Sequence, residues 1–207
     1  LNLPDDPELE NLLIIDIDDV CLDTLTGFVK WLSKHNRLHN IAGNAITSRE
    51  VLGTWLNVPD ELANHWMKDF SERSWEWGAL YPMMDSRPVI NELYKEGWNL
   101  IAVCRGSTDL SRATLRRANL ELVFPGLFDD VYVLGLHANL HSMLKNYQNA
   151  ICVTSTELVA AASAQAGHIT YLLDQPWNRT FNNMSARRFN DWAGIKEALD
   201  KIRQDFT

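Results

Sequence analysis

The apolar residues of this chain fall into two kinds of run. Short and nearly unbroken runs, Leu12–Ile15, Trp98–Val103, Val131–Leu134, Ala150–Val153 and His168–Leu173, have the length and composition of strands buried on both faces. Between several of them, apolar residues recur every three or four positions, as in Val89, Ile90, Leu93 and Tyr94, which is the stripe of a helix with one covered side. Strands alternating with helices predict an α/β fold, a parallel sheet packed between helical layers. The stretch from Asp23 to Asp85 interrupts that rhythm. It shows no strand-like alternation and reads as helical throughout, with Leu25, Phe28, Val29 and Leu32 on one stripe over Thr24–Arg37. A Ser/Thr-x-x-Glu capping box stands at Thr47–Glu50, a Pro-Asp-Glu helix start at Pro59–Glu61, and helical spacing runs from Leu62 to Trp77. A small helical cap inserted after the first strand is therefore expected, dividing the chain into a core of residues 1–23 and 85–207 and a cap of residues 24–84.

The first strand ends in acids: Leu12-Leu13-Ile14-Ile15-Asp16-Ile17-Asp18-Asp19-Val20. In parallel sheets ligands bind where strands end, and side chains two residues apart point the same way, so Asp16 and Asp18 can converge on one small volume. Carboxylates that close repel unless a cation lies between them, and a divalent metal with a phosphate ester beneath it would satisfy both. The other reading of Asp16, Asp18, Asp19 and Asp23 is a polar loop that closes the strand and caps the next helix.

Leu12–Val20 resembles the first motif of the haloacid dehalogenase-like (HAD) phosphohydrolases, four hydrophobic residues and then Asp-x-Asp-x-Val/Thr. The resemblance implies a Rossmann-like parallel sheet, Asp16 as nucleophile, Asp18 as general acid/base, and Mg2+ held by Asp16 and the Asp18 backbone. The segment from Tyr81 through Gly97 and the strand after it is similar to the entry into the family's second motif, where a Thr or Ser binds phosphate. Here that position is Cys104, a weaker donor, followed by Arg105, Gly106, Ser107 and Thr108, which offer a charge, backbone N–H groups and hydroxyls. A cysteine phosphatase would need Arg six residues beyond Cys104, and position 110 is Leu. The family's phosphate-neutralising Lys corresponds at best to Lys145. Where its paired metal-binding acids are due the chain reads Thr154-Ser155-Thr156-Glu157, leaving Glu157 as the candidate ligand; neutral hydroxyls are poor substitutes around a hard cation.

Asp174-Gln175-Pro176-Trp177-Asn178-Arg179 and Arg187-Arg188-Phe189-Asn190-Asp191-Trp192 look like segments of the 5'(3')-deoxyribonucleotidase branch. That likeness implies a phosphomonoesterase acting on (deoxy)nucleoside monophosphates, with Phe70, Trp75 or Trp77 of the cap stacking on the base. The alternative is a catalytically degenerate HAD-fold protein that binds a nucleotide or another protein.

Charge and composition narrow the partners. A net charge of −8 argues against a broad nucleic-acid-binding surface but not against a single nucleotide in a pocket. Arg112, Arg116 and Arg117, on an amphipathic helix over Thr108–Asn119, read as a solvated face. Cys21, Cys104 and Cys152 sit far apart in or beside apolar runs, as buried thiols of a reducing compartment do. No apolar stretch has the length of a membrane span, and Leu1–Glu10 is acidic with two prolines rather than basic and then apolar. The expectation is a cytoplasmic protein with a small phosphate ester as partner, no nucleic-acid polymer, no membrane, and an open oligomeric state.

Overall fold

The computed structural model describes residues 11–38, 52–106, 109–135, 138–179, 181 and 185–205. Among them, six strands form one wholly parallel sheet in the order β3-β2-β1-β4-β5-β6. The strands are β1 (Leu12–Asp16), β2 (Asn99–Gly106), β3 (Asp130–Gly135), β4 (Ile151–Thr154), β5 (Ile169–Leu173) and β6 (Ala186–Phe189). The α/β architecture expected from the apolar pattern is thus present, a Rossmann-like sheet with helices inserted after the first strand. β6 is the strand the pattern did not announce. Its four residues include two exposed arginines on the sheet edge, so no apolar run marks it.

Both faces of β1 are covered, which is why its apolar residues run without alternation. Leu13 and Ile15 face a core built with α4 (Ser86–Lys95), α5 (Leu110–Val123) and α8 (Trp192–Asp205). Leu12 and Ile14 face a smaller core with α6 (Leu140–Leu144) and α7 (Glu157–Gln165). Order is reversed between β1 and β4: the chain leaves β1 toward β2 and β3 on one side and returns to β4 on the other. The end of β1 therefore opens at the switch point where doubly wound sheets hold their ligands.

Between β1 and β2 the described insertion consists of α1 (Thr24–Lys34), α2 (Leu52–Leu56), α3 (Asp60–Arg73) and a 3-10 turn at Glu76–Gly78. The capping box at Thr47–Glu50 and the acidic stretch Leu1–Glu10 lie outside the described residues. Aromatic rings hold the insertion together. Phe70 is fully buried, 5.5 Å from the ring of Phe28, 5.8 Å from Trp31 and edge-on to Trp77 at 5.4 Å. These residues join the same core as β1, so the insertion is packed onto the sheet rather than tethered to it. Trp75, by contrast, is 65% exposed. Phe70 and Trp75 are thus poor candidates for gripping a ligand at the sheet's end: one is sealed in the core and the other faces solvent.

Phe70→Ala should lower stability by about 3–5 kcal/mol, because it opens a cavity among three other rings. Trp75→Ala should change it by no more than about 0.5 kcal/mol. Urea unfolding followed by far-UV circular dichroism measures both.

Candidate active site

The four acids at the end of β1 and just beyond it divide into two pairs with different work. Asp19 adopts a left-handed conformation (φ 55°), which Asp tolerates better than most residues, and turns the chain back on itself. Its carboxylate accepts from Leu25 N at 2.8 Å, and Asp23 caps α1 by accepting from Thr26 N at 3.0 Å. Asp19 and Asp23 therefore do what a capping loop does. Asp16 and Asp18, 4% and 8% exposed, instead line a cleft of about 260 Å³ at the end of the sheet.

That cleft has a floor and a roof. β1 and β2 supply Asp16, Asp18, Val103, Cys104, Arg105 and Gly106, while the cap supplies Thr24, Leu52, Asn64, Met67, Ser71 and Trp77. Thr156 and Val159 close the side toward β4. Of the residues expected from sequence, Asp16, Asp18, Cys104, Arg105, Gly106 and Trp77 are brought together here. Ser107 lies outside the described residues. Lys145 is exposed just beyond the C-terminal end of α6, whose opposite end carries the lining residue Leu140. Glu157 opens the first turn of α7 and is not part of the lining, although Thr156 and Val159 beside it are. Asn64, Met67 and Ser71 carried no motif; only the packing of α3 over the sheet reveals them.

The largest departure from expectation is Arg116. It was expected on a solvated face, yet it is fully buried and ion-paired with Asp18 Oδ1. The same guanidinium donates to Thr24 Oγ1 at 3.2 Å, and Nη1 reaches the carbonyl of Trp77 at 3.5 Å. Its plane lies over the Trp77 ring, 4.0 Å from the centroid, a cation–π contact strengthened by the absence of water. Thr24 Oγ1 donates to Asp18 Oδ1 at 2.6 Å, so one carboxylate oxygen takes both partners. Helical spacing conceals this, because α5 turns only part of its arginine cluster outward. Arg117 is exposed, Arg112 half-buried with Nη1 on Ser74 O at 3.0 Å, and Arg116 shares the inner face with Asn119, which clamps both backbone groups of Leu80. Gly78 permits the approach: a Cβ there would lie 2.2 Å from Leu115 on α5.

Asp16 has a different neighbour. Thr154 Oγ1 donates to Asp16 Oδ2 at 2.8 Å across the switch point, one step beyond the Ile15–Val153 pairing. Ser155 Oγ donates to the Asp18 backbone carbonyl at 3.2 Å. The loop after β5 fixes both. Trp177 Nε1 and Asn178 Nδ2 donate to Ser155 O at 3.2 and 2.9 Å, Gln175 Nε2 donates to Asp19 O at 3.4 Å, and Trp192 Nε1 donates to Val20 O at 2.9 Å. The two segments singled out in the sequence between Asp174 and Trp192 thus act as a scaffold that pins the ends of β1 and β4.

Cys104 stays a thiol. Burial above all, with the charge of Asp18 adding and that of Arg116 opposing, pushes its pKa up to about 12. A thiol held protonated is neither a nucleophile nor a strong phosphate donor.

No family model matches the chain. An uncharacterised 32.4 kDa protein of Enterobacteria phage T4 is 28% identical over 145 residues, covering 68% of this chain and 51% of its own length. The chain therefore spans about half the length of the curated relative it matches. Among solved structures, a predicted phosphatase from Clostridium acetobutylicum superposes with a TM-score of 0.60 at 13% identity, covering 95% of this chain and all of the other. The HAD-hydrolase YfnB of Bacillus subtilis, determined bound to magnesium, gives 0.58 at 13% identity over 91% of this chain and 98% of its own. A dehalogenase with an intermediate complex gives 0.55 at 10% identity over 93% and 98%. The fold is that of the HAD-superfamily hydrolases. Phosphatases and a dehalogenase share it, so the fold alone does not select the reaction.

Magnesium, the cation bound to YfnB, fits poorly among the residues at this site. Among the described residues no three His, Cys, Asp or Glu side chains gather into a metal cage. The Asp16 carboxylate and the Asp18 carbonyl, the two oxygens a HAD-type cation would take, each already accept a hydroxyl proton, and a guanidinium occupies Asp18. Hard cations favour anionic oxygens, and here hydroxyls stand in their place.

Two outcomes follow for stability. Arg116→Met should cost about 3–5 kcal/mol, since it strands a buried carboxylate, whereas Arg117→Met should stay within about 0.5 kcal/mol in the same urea titration. Cys104 and Cys152 are each pushed up to about 12 from an ordinary value near 9, both chiefly by burial, and Cys21 is raised as well. The unfolded chain then binds fewer protons than the folded one between pH 9 and 12, so stability is fully present below pH 9 and is lost as pH climbs through that window. The slope should approach about 1.4 kcal/mol per pH unit for each thiol. Unfolding midpoints measured from pH 8 to 11 should fall less in the Cys104→Ala/Cys152→Ala variant.

Proposed function

We propose that this protein hydrolyses a small phosphate monoester by the HAD aspartyl-phosphate route, with a (deoxy)nucleoside monophosphate as the substrate class. The observation that carries the reading is the pairing of Asp16 and Asp18 on the floor of one cleft, with Arg105 on the same floor. Among the described residues the Arg105 guanidinium makes no ion pair or side-chain hydrogen bond, which leaves it to meet the phosphoryl oxygens. In the first half-reaction an Asp16 oxygen bonds to phosphorus while the ester P–O bond breaks, and Asp18 Oδ2, a carboxylate at rest, passes the acidic proton of the monoanionic ester to the leaving oxygen. In the second, water attacks phosphorus, Asp18 takes its proton, the bond from phosphorus to Asp16 breaks, and the proton leaves Asp18 with the released phosphate, restoring both carboxylates. Thr24 and Arg116 hold Asp18 through Oδ1, so Oδ2 is the oxygen that handles the proton.

The roof suits a planar group. Leu52, Met67 and Trp77 offer apolar surface, and Asn64 and Ser71 offer donors and acceptors for a base edge. Stacking on Trp77 uses what Arg116 and Phe70 leave of its ring. A small cleft under a cap also fits a mononucleotide better than a polymer, in line with the chain's net negative charge.

A second reading has its own observation. Thr154 holds the nucleophile's oxygen with a hydrogen bond where the resemblance leads one to expect a carboxylate, which suits a protein that binds the ester and does not turn it over.

Phosphate release from deoxynucleoside monophosphates, assayed both with millimolar Mg2+ and with EDTA, tests the two. Release that Asp16→Asn lowers by a hundredfold or more supports hydrolysis. Calorimetric binding of the same nucleotides without release in either condition supports the binding protein, and neither binding nor release rejects both.

A further inference from the structure

The acid pair of this cleft sits in an unusual electrostatic setting. Two carboxylates, Asp16 and Asp18, share a buried volume with a guanidinium that no water reaches. The Cys104 thiol lines the cleft beside Asp16 and Asp18, and Arg116 is ion-paired to Asp18 directly behind them. With Arg105 on the cleft floor, two carboxylates face two guanidiniums, and the site is formally neutral before any ligand enters. Arg116 is also short of acceptors: its buried Nε has none among the described residues. A cluster that already holds a buried cation offers little to a second one.

The hydroxyl contacts point the same way. Thr154 and Ser155 present hydroxyl donors, not carboxylates, to the Asp16 carboxylate and the Asp18 carbonyl. A site waiting for a divalent cation would gain from carboxylates at these positions, because anionic oxygen is what such a cation binds.

We infer that Arg116 is the resident counter-charge of the acid pair and replaces the divalent cation, so that the cleft takes the phosphoryl group of its ligand without a metal. The ligand class rests on the function proposed above, whereas the charge arrangement does not. Arg116 touches Asp18 rather than the ligand, so it is a positioning residue: it fixes Oδ1 and supplies a permanent positive charge that no chelator removes.

Metal titration of the protein alone is the direct test. Thermal unfolding of the native chain should give the same midpoint within a degree in 5 mM Mg2+, in 5 mM Mn2+ and in EDTA, and calorimetry should detect no Mg2+ binding below millimolar concentration. Inorganic phosphate should bind equally well in Mg2+ and in EDTA. Arg116→Met removes the buried counter-charge and leaves two carboxylates facing Arg105 alone, so Mn2+ should now raise its unfolding midpoint by several degrees, and Arg116→Lys should restore indifference to metal. If Arg116→Met does not fold, Thr154→Asp serves instead, since the added carboxylate should confer Mn2+ binding that the native chain lacks. Sub-millimolar Mg2+ binding by the native chain would overturn the inference, as would phosphate binding that EDTA abolishes and Mg2+ restores. Neither result depends on turnover, so absence of phosphate release counts against the proposed hydrolysis and leaves the metal titration to decide this point.

Discussion

Two carboxylates buried side by side at the end of a central strand are the constraint around which this structure is arranged. Left alone in a poorly solvated cleft they would repel each other strongly, and the fold meets that demand with a guanidinium from α5 and hydroxyls from α1 and β4. Much of the rest follows from holding those partners in place. The 3-10 turn at Glu76–Gly78 presses against α5 so that Trp77 can shield Arg116, and Asn119 ties Leu80 to the same helix. The cap is consequently part of the electrostatic design of the cleft as well as its roof.

A second set of contacts works from the opposite side of the sheet's end. Gln175, Trp177 and Asn178 bind main-chain oxygens of the β1 and β4 loops, and Arg188 in turn grips Asp174 and Asn178. Gln175, Trp177 and Asn178 are buried polar groups with partners, which fix a unique geometry where an apolar filling would allow several. These residues therefore have a structural role independent of substrate. A loop that positions the acid pair suits any ligand the pair accepts.

Proteins of similar fold include a predicted phosphatase and a dehalogenase, and the sheet alone is indifferent between them. What bears on the chemistry is local. A second acid two residues after the first suits proton transfer to and from an oxygen leaving group, and a buried arginine beside it suits an anionic ligand. The altered surroundings, a thiol at Cys104 and hydroxyls at Thr154 and Ser155, change how charge is balanced without removing the pair itself.

The amino-acid sequence by itself determined the layered architecture and the place of the acids. Short unbroken apolar runs alternating with helical stripes fit central parallel strands, and the position of Asp16 at the end of such a run is a matter of counting along one strand. It also marked the helical insertion, because apolar residues there recur mainly at helical spacing. The edge strand β6 escaped notice, since two exposed arginines in four residues leave no apolar signature. Only the tertiary structure decided which charges meet. Arg116 and Asp18 stand 98 residues apart, and Thr154 and Asp16 stand 138 apart. An arginine among three on one helix looks solvated until another element covers that face, so its burial depends on packing against the 3-10 turn and the cap. The same holds for Phe70 and Trp75, similar as aromatic residues of one segment, of which the fold seals one and leaves the other in water.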